Sequence, residues 1–492
     1  MNKVFNLCYA ALFMLTSCQD FGILFKDALC IENISIIDPE EGLKNNQTLV
    51  IKEGKIFQIT PTEEIRLSKK NTIVDGTGKF MIPGLWDAHM HFSYIKEMAP
   101  HMFNLFLANG ITSVRDTGGD ISFVNKWKQL SLANPTDAPR VMVAGPLLDG
   151  MPNVYDGSDP GHPPLSEGLR SLNDVRDKVN ELDSLEVDFL KAYEMLSPEQ
   201  FILINELAKE KGLKVTGHVP LSMDVISASN AGMNSMEHLR NLELSCASNA
   251  DELLAERNEL LTLGKDEKGA ALRSKIHNEQ RQRAIENYDP EKAKEILAVL
   301  AKNDTWQIPT LALSTGFVKR PFTQEKWQED FKYLPEYIER DWKRNIELFS
   351  KNEITPFRIE YVKWLMNMTL NIHKSGINMM AGTDCPIFFL TPGASLHEEL
   401  AVLVEAGLTP LQVLKTATVN PAKYFDMEEE LGNVRTGHWA DLVILDANPL
   451  EDIKHTKLIH AVVKQGKYYD RTALDGLLQE LSAKETEIKE NL

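Results

Sequence analysis

A chain of 492 residues is long for one compact core, and its length points to about two or three domains. With 43% hydrophobic and 25% charged residues, its composition is that of an ordinary globular protein rather than a disordered or fibrous one. A formal net charge of −18 argues against a nucleic-acid partner, which would need a basic surface.

The chain opens with "MNKVFNLCYAALFMLTSC". Its apolar run is too short and too weakly flanked for a spanning helix, so residues 1–17 read as a cleavable secretory signal. Leu15-Thr16-Ser17-Cys18 resembles the lipobox of bacterial lipoproteins. That resemblance implies cleavage before Cys18 and a lipid on Cys18. The protein would then be exported to the bacterial cell envelope, in the periplasm or at the surface, touching the membrane through its lipid alone. An ordinary signal with a chance cysteine is the alternative. Cys8 leaves with the signal, and Cys30, Cys246 and Cys385 are too scattered for a disulfide framework or a C-x-x-C zinc knuckle.

Residues 18–83 hold short β-patterned runs ("CIENISIIDPE", "QTLVIKEGKIFQIT", "NTIVDGTGKFMIPG") broken by Asp-Pro, Glu-Gly and Asp-Gly turns. A matching set returns within 431–475 as "HWADLVILDANP" and "LIHAVVKQGKYY". Neither set can bury a good core alone, so both chain ends are expected to form one small composite β-sandwich domain. From 84 to 430 apolar strands alternate with amphipathic helices. Candidate strands end near His91, Asp116, Gly145, Lys191, His218, His238, Thr310 and Asp384. Eight such runs predict an α/β chain with a (β/α)8 TIM barrel. Two connections, 246–305 and 318–375, are long; they read as outer helices with extra turns, or in part as a lid over the mouth. Residues 476–492 read as a frayed, solvated helical tail.

Within "MIPGLWDAHMHF", His89 and His91 stand two residues apart. On a strand such side chains point the same way and can offer two imidazole nitrogens to one metal ion. Lys191, His218, His238 and Asp384 fall at the ends of four other predicted strands, and in a barrel those ends converge on the face that houses the active site. Singly each has a structural explanation: a hydrogen-bonded core histidine, a strand-end ion pair, a helix cap at Asp384. Their joint placement is what suggests a metal centre.

"PGLWDAHMHF", "KVTGHVP", "SMEHL" and "MMAGTDCP" resemble the motifs of the amidohydrolase superfamily, and the match spans essentially the whole mature chain. The lysine in "DFLKAYEMLSPEQF" resembles that of its prolidase-like and imidazolonepropionase-like branch. The resemblance implies two divalent ions, with zinc favoured and manganese open. His89, His91 and Asp384 would hold the more buried ion, and His218 and His238 the second. Lys191, carboxylated by CO2 to an anionic carbamate, would join them; left unmodified, it would imply a single-metal site. Two cations about 3.5–4 Å apart lower the pKa of a bridging water, and Asp384 would carry its proton to the leaving nitrogen. The implied reaction is hydrolysis of an amide or peptide C–N bond, with dipeptides or N-acyl amino acids as small-molecule substrates. A cyclic amide or lactone hydrolase is the enzymatic alternative. An inactive barrel serving as a lipid-anchored binding module is the other.

Deaminases of this fold place His-x-x-Glu at the fifth strand, whereas His218 is followed by Val219, Pro220 and Leu221. Among substrate contacts, His162 on a Gly/Pro-rich mouth loop could meet a carboxylate and Tyr193 a carbonyl, with solvated-loop or packing roles as alternatives. Arg115 reads as a structural ion pair and Cys385 as packing. A homo-oligomer stays open.

Overall fold

The computed structural model describes residues 27–159 and 161–490. The signal segment and Cys18 lie outside the described residues. Five strands come first: β1 (Leu29–Asp38), β2 (Gly42–Lys52), β3 (Lys55–Pro61), β4 (Thr72–Asp75) and β5 (Phe80–Pro83). Nine follow: β6 (Leu85–Met90), β7 (Ile111–Asp116), β8 (Arg140–Val143), β9 (Leu147–Gly150), β10 (Ser166–Leu169), β11 (Phe189–Ala192), β12 (Lys214–Gly217), β13 (Ser235–Glu237) and β14 (Trp306–Ile308). The last three are β15 (Leu442–Leu445), β16 (Ile459–Lys464) and β17 (Lys467–Asp470).

Strands from both chain ends lie in one sheet, ordered β17-β16-β15-β5-β1-β2-β3 with β4 beside β1. The join is antiparallel, β15 against β5, pairing Leu442 with Pro83 and Leu445 with Phe80. Period-2 alternation puts Ile31, Ile34, Leu49, Ile51, Met81, Leu442, Ile444 and Val463 into one apolar cluster. Gly84 carries the chain from β5 into β6; a side chain there would collide with Thr112, its Cβ falling 2.2 Å from the hydroxyl. The end sheet and the first histidine-bearing strand are thereby held close.

The middle of the chain is TIM-barrel-like α/β. Parallel strands form a three-stranded sheet, β6-β7-β8, and a six-stranded one, β10-β9-β11-β12-β13-β14. Asp188 connects them beside β8, its amide bonding the carbonyl of Val143 at 2.9 Å. Helices pack outside, and the largest apolar cluster lies between them and the strands. Strands β9 and β10 were not expected; they occupy the stretch that the sequence suggests is a mouth loop.

The expected eighth strand, ending at Asp384, is not a regular strand. Residues 378–385 make isolated parallel bridges, Met379 to Gln307 on one side and Cys385 to Met90 on the other. The backbone turns left-handed at Asp384 (φ 68°), yet the amides of Thr383 and Asp384 still bond the His89 carbonyl at 3.1 and 2.7 Å. The Asp87 side chain adds to these bonds. It accepts hydrogen bonds from the amides of His89 (3.2 Å) and Thr383 (3.1 Å) and from the Thr383 hydroxyl (2.7 Å). This side chain thus reinforces the backbone join between β6 and residues 378–385.

The tail also differs from expectation. Its helix begins at Arg471, and Leu474 and Leu481 are buried in the main core. Apolar spacing on one face, rather than the overall charge, decided that. Cys30, Cys246 and Cys385 are free and buried. No helix among the described residues is long and apolar enough to cross a membrane.

Candidate metal centre

His89, His91, Lys191, His218, His238 and Asp384 all line one cavity of about 210 Å3. His89 lies in β6 and Lys191 in β11; His91, His218 and His238 directly follow β6, β12 and β13, and Asp384 lies within the bridging segment 378–385. Glycine permits the crowding in two places. A Cβ at Gly217, just before His218, would meet the Ala192 carbonyl at 2.0 Å, and one at Gly382 would meet His89 Cβ at 2.6 Å. His238 (φ 57°) and Asp384 (φ 68°) adopt left-handed backbone, a strained conformation that turns their side chains across the strand ends and often marks functional sites.

Three imidazoles have their tautomer fixed by the partner of Nδ1. His91 Nδ1 donates to the Gly118 carbonyl at 3.0 Å. His218 Nδ1 donates to Glu194 Oε1 at 2.6 Å. His238 Nδ1 donates to the Thr310 hydroxyl at 2.6 Å, which itself donates to the Pro309 carbonyl. In each case Nε2 keeps its lone pair, as a metal ligand must. Burial pushes His89 and His238 well below the usual histidine range and His218 to about 3, so these three rings are neutral near pH 7.

The Nε2 atoms of His89 and His91 both lie 3.1 Å from Asp384 Oδ1, and His238 Nε2 lies 3.7 Å from Oδ2. Asp384 Oδ1 and His89 Nδ1 are nonetheless buried without an aligned hydrogen bond. Lone pairs converging on one point, rather than N–H groups aimed at acceptors, suit a cation. His89, His91 and Asp384 form one group with metal-ligand spacing, and His89, Glu237 and His238 a second. The donor set fits hard or borderline divalent ions.

Lys191 is buried and its amine touches Glu237 Oε2. Burial first, then the charge of Arg115, holds its pKa well below the usual lysine range. Glu237 was missed by sequence reasoning because "MEH" drew attention to the histidine alone. Arg115 binds Glu237 Oε1 at 2.8 Å and the Thr216 hydroxyl adds a bond at 3.0 Å; the ion pair anticipated for Arg115 thus lies beneath the site.

Tyr193 lines the cavity, its ring 4.4 Å from that of His218. His162 does not line it: its Nδ1 lies 2.9 Å from Asp159, beside Tyr155. The helix Gly269–Glu286, inside the long 246–305 connection, supplies Arg273 and His277. Glu194 joins the two sides, accepting from His218 at 2.6 Å and from His277 Nε2 at 2.7 Å. Burial alone would raise its pKa, but His277, these two bonds and Arg273 outweigh burial and hold the carboxylate ionised. Glu194 lies three beyond Lys191, a spacing that could have flagged it; nothing local marks Arg273 or His277.

The sequence profile of the Amidohydrolase family matches residues 80–301 and 327–468. Ochratoxinase of Aspergillus niger is 38% identical over 101 residues, 20% of this chain and 20% of that protein. The chain thus matches about a fifth of that curated relative's length. Among solved structures, a bottromycin amidohydrolase superposes with a TM-score of 0.68 at 21% identity, over 93% of this chain and 90% of its own. A Xaa-Pro dipeptidase with methionine bound in its active site superposes with a TM-score of 0.63 at 17% identity, over 90% of this chain and 100% of its own. At such identities both establish the shared fold.

Proposed function

Because the chain belongs to the Amidohydrolase family, we propose that it is a metal-dependent hydrolase of an amide or peptide C–N bond in a dipeptide or N-acyl amino acid. The observation that carries this reading is the convergence of His89, His91 and Asp384 at 3.1 Å, with Asp384 Oδ1 buried and unbonded. His89, His91 and Asp384 would hold one ion, His218 and His238 the other, and Lys191 would join them. Divalent ions there, with zinc the first choice, would lower the pKa of water and polarise the substrate carbonyl.

The residues of this chain do the rest. The buried Lys191 amine, its pKa held well below the usual lysine range, loses its proton more readily than a free lysine. Its nitrogen then attacks the carbon of CO2, a second proton leaves, and the product is an anionic carbamate. Gly118, Glu194 and Thr310 hold three imidazoles in their ligating tautomers. Asp384 takes a proton from the attacking water and returns it to the departing nitrogen. Tyr193, whose hydroxyl accepts from Arg273 at 3.2 Å, is free to donate its own proton to the carbonyl oxygen as negative charge develops there. Isolated bridges from residues 378–385 to Gln307 and Met90 link the two parallel sheets, which supports the six side chains acting in one volume. Zinc-loaded protein assayed against a library of dipeptides and N-acyl amino acids tests the reading: metal-dependent release of an amine supports it. A protein that neither retains a divalent ion nor cleaves any member is instead a binding module. We further propose an envelope location with Cys18 as the lipid anchor; Cys18→Ser should leave the membrane fraction, and continued lipid labelling would reject that.

A further inference from the structure

Two guanidinium groups, Arg240 and Arg273, line the cavity, and two more, Arg257 and Arg281, lie behind them beside Glu243. Two carboxylates, Glu194 and Glu243, stand with them. Glu243 pairs with Arg281 at 3.0 Å. Arg257 is occupied by neutral amide oxygens, those of Gln280 at 2.8 Å and Asn241 at 2.9 Å. Glu194 already accepts from two histidines and lies 4.0 Å from Arg240. Arg273 has no carboxylate partner of its own. One of its terminal nitrogens donates to the Tyr193 hydroxyl at 3.2 Å, while its Nε is buried with no hydrogen-bond partner. Arg240 Nε is likewise buried and unbonded. Both arginines line the cavity that holds the six candidate ligands.

Guanidinium N–H groups buried without an acceptor are costly to keep. Glu194 offsets part of the charge, and the Tyr193 hydroxyl meets one terminal nitrogen of Arg273. Among the described residues the Nε groups of Arg240 and Arg273 stay unbonded, to be met by whatever enters the cavity. The unbonded Nε of Arg273 lies on the edge of a guanidinium that pairs side-on with a carboxylate. Tyr193 ties that arginine to the ligand cluster, since its ring stacks beside His218 and its hydroxyl meets Arg273. A carbonyl at Tyr193 and a carboxylate at Arg273 would therefore be near neighbours in one molecule, as they are in an N-acyl α-amino acid.

We propose that Arg273, with Arg240 beside it, binds a carboxylate of the substrate, so that the site selects anionic amides over neutral amides, lactams and lactones. This rests on the hydrolase reading above and specifies its substrate class. It also moves the carboxylate contact from His162, outside the cavity, to an arginine in the long 246–305 connection.

The test measures binding, so that it does not depend on turnover. 3-Phenylpropanoate and its neutral carboxamide are titrated calorimetrically into zinc-loaded protein, as wild type, Arg273→Met and Arg273→Lys. The wild type should prefer the carboxylate by roughly 30-fold or more, Arg273→Met should reduce this to within about 3-fold, and Arg273→Lys should keep part of it. Equal affinities in the wild type would overturn the proposal. So would an unchanged preference in Arg273→Met, or one that vanishes on metal removal alone, because the carboxylate would then sit on the metal. If Arg273→Met does not fold, Arg273→Lys and Arg240→Gln carry the same comparison. Should the carboxylate preference follow Arg273 while no amide is cleaved, the subsite stands and the hydrolase reading falls.

Discussion

On one side of the cavity, His89, His91, His218, His238, Lys191 and Asp384 stand at or just beyond strand ends, with His89, His218 and His238 held neutral by burial. On the other, Arg273 and His277 come from the helix Gly269–Glu286, and Arg240 from the turn after β13. The first side is a set of lone pairs held at strand ends. The second is a set of N–H donors, Arg273 and His277 on a helix and Arg240 on a turn, with His277 pushed down to about 3 by burial. The first side suits a cation and, in our proposal, the second an anion; Glu194 is a carboxylate that touches both. The difference teaches that binding of the reacting atoms and recognition of the substrate are separable here.

The largest effect expected falls on the strand-end side. Lys191→Ala should lower kcat by roughly 1,000-fold and reduce bound metal, because the joining anion is lost; added short-chain carboxylate should restore part of both. Full activity with full metal content would remove the two-ion arrangement and leave Lys191 as a partner of Glu237. Metal content by elemental analysis separates the two.

A smaller effect is expected where the sides meet. Glu194→Gln removes the charge that fixes His218, and should weaken metal binding by roughly 10- to 100-fold while leaving the fold intact. Competition with a graded series of chelators measures this. No change in metal affinity would mean that the two sides are uncoupled, and the comparison would have to be redrawn.

The smallest effect contrasts two buried glutamates. Glu194 is kept ionised by its histidines and Arg273, whereas burial pushes Glu399 up to about 8, its Oε2 accepting only from backbone such as the Ala312 amide at 2.6 Å. Folded protein therefore holds a proton on Glu399 that the unfolded chain releases above about pH 4.5. The stability this contributes is complete below that pH and lost as the pH rises through 8. Glu399→Gln should flatten this slope, gaining roughly 1–3 kcal/mol relative to wild type between pH 5 and 8. Denaturant unfolding at several pH values reads the slope; an unchanged slope would mean that Glu399 is ionised in the fold.

Much of the fold was legible because its rules are local. The runs ending near Asp116, Gly145, Lys191, His218, His238 and Thr310 read as parallel strands, several of them continuously apolar, and each contains a strand. Residues 378–384 look the same in sequence yet form only bridges, tied to β6 by backbone bonds and by the side chain of Asp87, some 300 positions earlier, which accepts from the Thr383 amide and hydroxyl. That bond pattern cannot be seen from either segment alone. His89 and His91 announce themselves as a pair because side chains repeat every two residues along a strand. Arg273 and His277 sit four apart in a highly charged helix, where such residues ordinarily face water.

The sequence by itself determined which side chains could ligate a metal and that they would stand near strand ends, because strand period and turn chemistry act over a few residues. Tertiary structure alone decided that Lys191 meets Glu237, that His277 reaches Glu194 across 83 positions, and that Arg273 is left without a carboxylate. Those contacts depend on how distant elements pack, and packing distance bears no relation to distance along the chain.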